Sequence, residues 1–449
     1  MKQKNNLTEG PVFKTLFWFS LPFVFSTLLQ SLYSMVDMMV VGQFVGSSGL
    51  SAVSVASQLV QLMTFICVGI STAGQIYISQ VFGAKRYSKI KGIIGTLTVM
   101  VIIASLLMLL VSVTCQRPLL LMIDTPEEAF NEAVTYLIYC GLGMIFTGLY
   151  NMFSAILRGL GDSRHPFQFI AIASIVNIIL DYVFVAGLHL GVAGAALATV
   201  IGQAVSVAFS IFFLFKHQER FYIHFDRSMI SVDKEVMITL LKLGFPLALQ
   251  STAISISGLF VSKLVNQLGL AASATFGAGL KIQTIPSIIT QAVGYGVAAM
   301  CAQNLGAKLY HRVKQVIHSA LLINGVAAVV CGIVFYLYPQ AVFKLFTSDA
   351  EVLAYAPMFM LSLCIQLPAM ALMSPFNNLI NSAGDTTLSL VIALADGFVA
   401  RMSLSYLLGT VLGYGAFGFF LGFSLAAYVT AIPGLIYFLK GSWQKTKLA

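Results

Sequence analysis

Long apolar runs separated by short polar loops decide what this chain can become. Twelve segments of about 20 or more mostly apolar residues follow one another, and that is the length a helix needs to cross a bilayer's hydrocarbon core. Their approximate spans are 15–42, 50–82, 93–114, 133–157, 166–187, 193–215, 243–266, 271–305, 316–338, 352–380, 388–409 and 416–439. Only 9% of the 449 residues are charged and 58% are hydrophobic, whereas a soluble domain carries about 25% charged residues. Water-covered cores cannot be built from that composition. The expected fold is therefore all-α, a polytopic membrane protein with twelve transmembrane helices. The first apolar run is too long for a signal-peptide core and lacks a small-x-small cleavage site, so no cleavable leader is expected.

Twelve crossings place both termini on one side, and the basic residues indicate which. Lys2, Lys4 and Lys14 precede the first segment, and Lys85, Arg86, Lys89 and Lys91 fill the next loop on that side. Arg158, Arg164, the stretch from Lys216 to Lys242, Lys308, Arg312, Lys314, Lys440, Lys445 and Lys447 share it. Opposite loops hold only Arg117 and Lys344 as bases, with Asp124, Glu127, Glu128, Glu132, Asp349 and Glu351 as acids. Both termini are expected in the cytoplasm of a plasma-membrane protein. The net charge of +9 is thus a topology signal, and no nucleic-acid partner is expected.

The chain also repeats itself. SQVFGAKRYSKIK (Ser79 to Lys91) and AQNLGAKLYHRVK (Ala302 to Lys314) share Gln80/Gln303, Gly83/Gly306, Ala84/Ala307, Lys85/Lys308, Tyr87/Tyr310 and Lys91/Lys314. Pro22 with Pro246, Glu128 with Glu351, and Gly161-Asp162 with Gly384-Asp385 hold nearly the same offset. Two six-helix lobes are expected, at 1–215 and 243–449, joined by a cytoplasmic linker at 216–242. Because six is even, the lobes have the same orientation and a pseudo-two-fold axis along the membrane normal. Such lobes enclose a cleft that rocking exposes to each side in turn, as in secondary transporters.

Ionisable groups inside a membrane are costly, by about 2.5–3.5 kcal/mol each on insertion scales. Asp37, Asp181, Asp396, Lys263, Lys281 and Arg401 lie inside apolar segments. Asp37 is near the outer end of segment 1. Asp181 lies about 9 Å inside the outer end of segment 5 at the helical rise, Asn177 shares its face four residues earlier, and Thr199 has a similar depth on segment 6. If these faces converge, mutual repulsion and desolvation favour loading a proton, and the same oxygens suit a hard cation such as sodium. The plainer alternative is that both acids satisfy donors within a bundle. Gln30, Tyr33 and Asp37 line one face of segment 1, as the wall of a wet cleft would require. In the second half, Asp396 and Arg401 are five residues apart and so about 140° apart on an α-helix, which argues against a same-face pair. An ion pair of Asp396 with Lys281 or Arg401 across helices, or a cavity role for the three, stays open; Lys263 is expected to snorkel.

Prolines 22, 246, 286, 357, 368 and 375 stand within helical runs. Pro22 is the expected hinge, because a bend there moves the whole Gln30 to Asp37 face. Six cysteines without a CxxC pairing read as packing residues. No GxxxxGK[ST] loop, HExxH or Cys/His cluster occurs, so neither enzyme, metal centre nor cofactor is expected, sodium at Asp37, Asn177, Asp181 and Thr199 apart.

The segment LPFVFSTLLQSLYSMVDMMVVGQFVG (Leu21 to Gly46), the repeated Q-x-x-GAK-x-Y loop and R-G-x-G-D (Arg158 to Asp162), set on twelve helices in two repeats, resemble the multidrug and toxic compound extrusion transporters. The resemblance runs from about Leu16 to Leu439. It implies cation-coupled antiport, with amphipathic, often cationic compounds exported in exchange for protons or sodium. In the archaeal and DinF-like branches an amino-lobe site is built from residues that match Asp37, Asn177, Asp181 and Thr199, and cavity positions match Gln30, Tyr33 and Asn151. The NorM-like branch also uses a Glu on helix 7 and an Asp on helix 10; here Ile254 and Asn377, Asn378 and Asn381 stand near those places, so the chain is closer to the first type. The expected partners are a small-molecule substrate, a proton or sodium ion and the bilayer, with the chain acting as a monomer. Alternatives are a lipid-linked saccharide or peptidoglycan-precursor flippase of the same superfamily, and a non-transporting membrane scaffold or receptor.

Overall fold

The computed structural model describes residues 6–221 and 232–445. Lys2, Lys4, Arg227 and Lys447, counted above among the cytoplasmic bases, lie outside them, as does the middle of the 216–242 linker. Among the described residues the protein is all-helical and has no strand. The order is α1 (Val12–Phe44), α2 (Ser47–Gly83), α3 (Ser88–Thr114), α4 (Gln116–Met122), α5 (Glu127–Leu142), α6 (Met144–Gly159), α7 (Arg164–Asp181), α8 (Gly191–Lys216) and α9 (Lys234–Asn266). It continues with α10 (Leu270–Gly306), α11 (Tyr310–Leu337), α12 (Pro339–Phe343), α13 (Ala350–Ser382), α14 (Thr386–Leu394), α15 (Met402–Tyr406), α16 (Gly415–Leu425) and α17 (Ala427–Leu439).

Eleven spans are long and apolar enough to cross a membrane, and α5 with α6 forms a twelfth, bent by 47°. The sequence suggested one uninterrupted segment there. The break falls at Gly143, where a Cβ would collide with the side chain of Val200 on α8, so the close approach to α8 excludes any larger residue. The in-helix prolines do not end their helices: α1 runs through Pro22, α9 through Pro246, and α13 through Pro357, Pro368 and Pro375.

The repeat is written into the backbone. Gly46 and Gly269, Lys85 and Lys308, Gly161 and Gly384, and Gly191 and Gly415 are left-handed pairs at nearly one offset. The lysines are unusual, since a left-handed L-residue costs about 1–2 kcal/mol. Each closes a helix: Lys85 N bonds Phe82 O and Arg86 N bonds Val81 O, and Lys308 N and Leu309 N do the same to Leu305 O and Asn304 O. This is the hydrogen-bond pattern of a Schellman cap, and it explains why G-A-K recurs.

Two compact units result. One takes in Pro22–Ala248 and the other Asn6–Leu21 with Leu249–Ala449. The leading end of each half thus belongs to the opposite unit. In the second unit Leu7 N bonds Gln303 Oε1 at 3.3 Å, Asn304 Nδ2 donates to Leu7 O, and Arg312 donates to the carbonyls of Glu9 and Gly10. In the first unit Asp233 N donates to Thr96 Oγ1 at 3.0 Å, and a Cβ on Gly69 would stand 2.7 Å from the backbone nitrogen of Ala248. The lobe limits at 1–215 and 243–449 follow the chain, and at these two ends the compact units do not.

Small residues permit the closest helix contacts. A Cβ on Gly422 of α16 would strike the backbone of Ser405 on α15, and backbone cannot rotate away. Gly422→Val is expected to destabilise the protein by about 2–3 kcal/mol, read as a lowered unfolding temperature of the detergent-solubilised full chain.

Candidate functional site

The sequence places Asp37 on α1, Asn177 and Asp181 on α7 and Thr199 on α8, and the first unit brings these faces together. α7 and α8 pack along each other at Gly202, whose Cβ would lie 3.2 Å from Ala173 O and 3.3 Å from Asn177 Cβ. A side chain at that position would press α8 and α7 apart by a few tenths of an ångström. Beside this contact Asn177 Nδ2 reaches Thr199 Oγ1 at 3.5 Å. α7 ends at Asp181, and the chain continues as a π-helical stretch, Tyr182–Gly187, a geometry frequent at functional sites.

Asp37, Asn177 and Asp181 are all buried, Asp181 completely. Asp181 lies within electrostatic range of Asp37, and Tyr33 within range of both. No hydrogen-bond donor among the described residues reaches either oxygen of Asp181, Oδ1 of Asp37, Oδ1 of Asn177 or Oε1 of Gln203. Five buried acceptor oxygens without a protein donor is an unstable arrangement by itself, since each uncompensated polar group costs about 1–3 kcal/mol. A proton or a hard cation relieves it.

Tyr33, Ile170, Ala173, Ser174, Asn177, Thr199, Gly202 and Gln203 line a partly open cavity of about 10 Å³, and Asp37 and Asp181 are not among its lining residues. That is about the volume one water-sized occupant requires, suited to an ion and far too small for a drug. Gln30, expected on the same wall, is exposed and does not line this cavity. Asn151 also stands apart, its amide donating to Thr147 O at 2.8 Å. Gln203 was missed in the sequence, although its position four residues after Thr199 puts it on the same face of α8.

The second unit differs. Where an acidic site of the NorM type would stand, Ser389 Oγ donates to Asn377 Oδ1 and Gln250 Oε1, and Asn378 Nδ2 donates to Ser374 O. Asp396 and Arg401, expected on different faces, are paired at 3.0 Å. The reason is local: Ala395–Arg401 is π-helical, and an i→i+5 ladder sets residues five apart one above the other. Lys281 is exposed and makes no ion pair among the described residues, so the charge partner of Asp396 is Arg401, while its other oxygen accepts from Thr430 Oγ1. Pro22 lies at the boundary between the two units, within α1.

The model of the MatE family matches residues 22–183 and 246–407. The chain belongs to the MatE family. Both matched stretches begin at the repeated prolines, Pro22 and Pro246. This MatE protein is 26% identical over 446 residues to the probable multidrug resistance protein YpnP of Bacillus subtilis, covering 99% of this chain and 98% of that one. It is 25% identical over 391 residues to the multidrug export protein MepA of Staphylococcus aureus, with 87% and 86% covered. Its fold matches a MOP-superfamily transporter of Pyrococcus furiosus with a TM-score of 0.90 at 20% identity, over 98% of each chain. It also matches the MATE transporter VcmN of Vibrio cholerae in the bent form, with a TM-score of 0.87 at 23% identity over 95% and 96%. MatE proteins are membrane transporters and not enzymes.

Gly202→Val fills the cavity and forces α8 off α7. It is expected to destabilise the first unit by about 1–3 kcal/mol and to weaken transport far more than Gly258→Val, at a glycine of α9 with open space around it; proteoliposome efflux and thermal melts of both variants check this.

Proposed function

We propose that this MatE protein is a secondary antiporter that exports amphipathic cationic compounds in exchange for a cation bound in its first unit. The observation that carries the reading is the set of five buried acceptor oxygens on Asp37, Asn177, Asp181 and Gln203 that no donor among the described residues reaches. Two carboxylates within range of each other repel when both are ionised, and a proton or sodium ion removes the repulsion. The names of the relatives support the cargo: YpnP is described as a multidrug resistance protein and MepA as a multidrug export protein. Thr199, hydrogen-bonded to Asn177, adds a further oxygen to the ion site, and Tyr33 closes it on the α1 side.

Both termini face the cytoplasm, the chain works as a monomer in the plasma membrane, and its amino-terminal site groups it with the archaeal and DinF-like branches. The ion enters from outside when the site is outward-open, α1 rearranges about Pro22, and the substrate leaves. Opening inward delivers the ion to the cytoplasm and admits the next substrate. Coupling requires that ion and substrate prefer different conformations of the same unit, and Asp37, on the helix that carries Pro22, is placed to transmit that preference. Gln30 and Asn151 serve the substrate side, since neither lines the ion cavity.

Asp37→Asn keeps the shape of the side chain and removes its charge. Efflux of a cationic dye from proteoliposomes is expected to fall to background in this variant, with expression and melting temperature unchanged. Efflux driven separately by a pH gradient and by a sodium gradient identifies the ion. Wild-type efflux indifferent to both gradients, or normal efflux by Asp37→Asn, overturns the antiport reading; transport of a lipid-linked saccharide in place of the dye would make the protein a flippase.

A further inference from the structure

The internal repeat can be followed residue by residue into the second unit. Leu188 N to Val183 O is matched by Leu412 N to Leu407 O, and Leu190 N to Phe184 O by Tyr414 N to Leu408 O. Both turns contain a π-helical stretch, Tyr182–Gly187 and Leu407–Val411, and both are followed by a left-handed glycine, Gly191 and Gly415. Counting back from this anchor, Asp181 falls on Ser405 and Asn177 on Arg401. Counting forward, Thr199 falls on Phe423, Gln203 on Ala427 and Ser206 on Thr430. Nearer the start of the helix the offset is one residue shorter, as Gly161 and Gly384 show. The additional residue lies in the π-helical stretch Ala395–Arg401, which is how a helix absorbs a single insertion.

The matched places carry opposite chemistry. In the first unit Asn177 meets Thr199 beside a cavity and two carboxylates. In the second unit the Arg401 guanidinium lies 4.5 Å from the centre of the Phe423 ring. Its Nη2 and Nε donate to Asp396 Oδ1 at 3.0 and 3.3 Å, and Asp396 Oδ2 accepts from Thr430 Oγ1 at 2.9 Å. Asp396 is 0% and Arg401 7% exposed. The carboxylates are gone: Ser405 replaces Asp181, and Phe260 and Val261 stand where Asp37 would fall.

We propose that Arg401 is a built-in cation, held by its own side chain at the place in the second unit that an exchangeable cation takes in the first. The proposal rests on reading the amino-terminal pocket as a cation site. An arginine cannot be deprotonated in a protein, and a covalent tether prevents its release, so the second unit stays permanently in its cation-occupied form. Phe423 supplies a ring face for the guanidinium, a contact that strengthens when desolvated. Asp396 supplies the counter-charge that the exchangeable site draws from Asp37 and Asp181. All ion exchange is then confined to the first unit, and the repeat has become a working half and a locked half.

The test uses the full chain in proteoliposomes with guanidinium chloride as the probe. Arg401→Ala leaves Asp396 buried without its partner, and efflux of a cationic dye is expected to fall about tenfold or more. Millimolar guanidinium is expected to restore most of that efflux and to raise the melting temperature of the variant, while doing neither to the wild type. Arg401→Lys, which keeps a tethered cation, is expected to retain much of the activity and to serve if Arg401→Ala does not fold. The double variant Asp396→Asn with Arg401→Gln removes both charges and leaves none unpaired; it is expected to remain impaired and unresponsive to guanidinium. Wild-type efflux by the double variant, or no response of Arg401→Ala to guanidinium in either measurement, overturns the proposal. Asp37→Asn run alongside reports on the amino-terminal reading alone, so the two readings fail separately.

Discussion

The candidate site depends on how closely α8 can approach α7. Gly202 sets that distance, because a Cβ there would press on Ala173 O and on Asn177 Cβ. Beside this contact lie the Asn177 to Thr199 hydrogen bond and the cavity of about 10 Å³. In lipid, polar groups exposed on a helix surface would find no water, so an acid, an amide and a hydroxyl must be gathered between helices. The cavity beside Gly202 has room for about one small occupant, and amides and hydroxyls line it, with Asp37 and Asp181 outside its wall.

Departures from α-helical geometry do comparable work at the end of α7 and around α15. A π-helical stretch after Asp181 is matched by one after Tyr406, so this irregularity is common to the two halves. The stretch at Ala395–Arg401 has no counterpart: residues 171–177 in the first half lie in regular α-helix. That single difference aligns Asp396 with Arg401, where an unbroken α-helix would turn them apart. On the proposed reading, a one-residue difference in register sets a fixed ion pair in the second unit at the place of an exchangeable cation in the first.

Much of the fold was legible because membrane crossing leaves a coarse signal. Apolar length located the spans, and the G-A-K loops located the repeat, later seen as paired left-handed lysines. Asp37, Asn177, Asp181 and Thr199 could be read from depth and face alone, since all four lie on helices that are regular up to the site. The same reasoning separated Asp396 from Arg401, because a π-helical turn has no marker in composition and the 100° step no longer applies. Gln203 was readable and overlooked; Gly202 became meaningful only with Ala173 O beside it. The bend at Gly143 depends on Val200, a partner far along the chain, and so is invisible to any local pattern.

The leading helix of each half joins these elements to a larger movement. α1 starts in the second unit, where Gln303, Asn304 and Arg312 hold the backbone just before it, and passes to the first unit at Pro22. Beyond that point it carries Tyr33 to the wall of the first unit's cavity and Asp37 within electrostatic range of Asp181. Proline removes one backbone donor and its ring crowds the preceding turn, so of the positions between anchor and site, Pro22 is where the helix resists bending least. α9 has the same layout, with Pro246 close to its own crossing at Ala248, but no acid follows it at Phe260 or Val261. On the proposed coupling, charge that changes during the cycle acts on α1 and not on α9. Two helices of like layout, only one of which carries an acid beyond its proline, respond differently to a bound cation, and on the proposed reading Asp37 on α1 supplies that difference while Arg401 fills the matching place in the second unit.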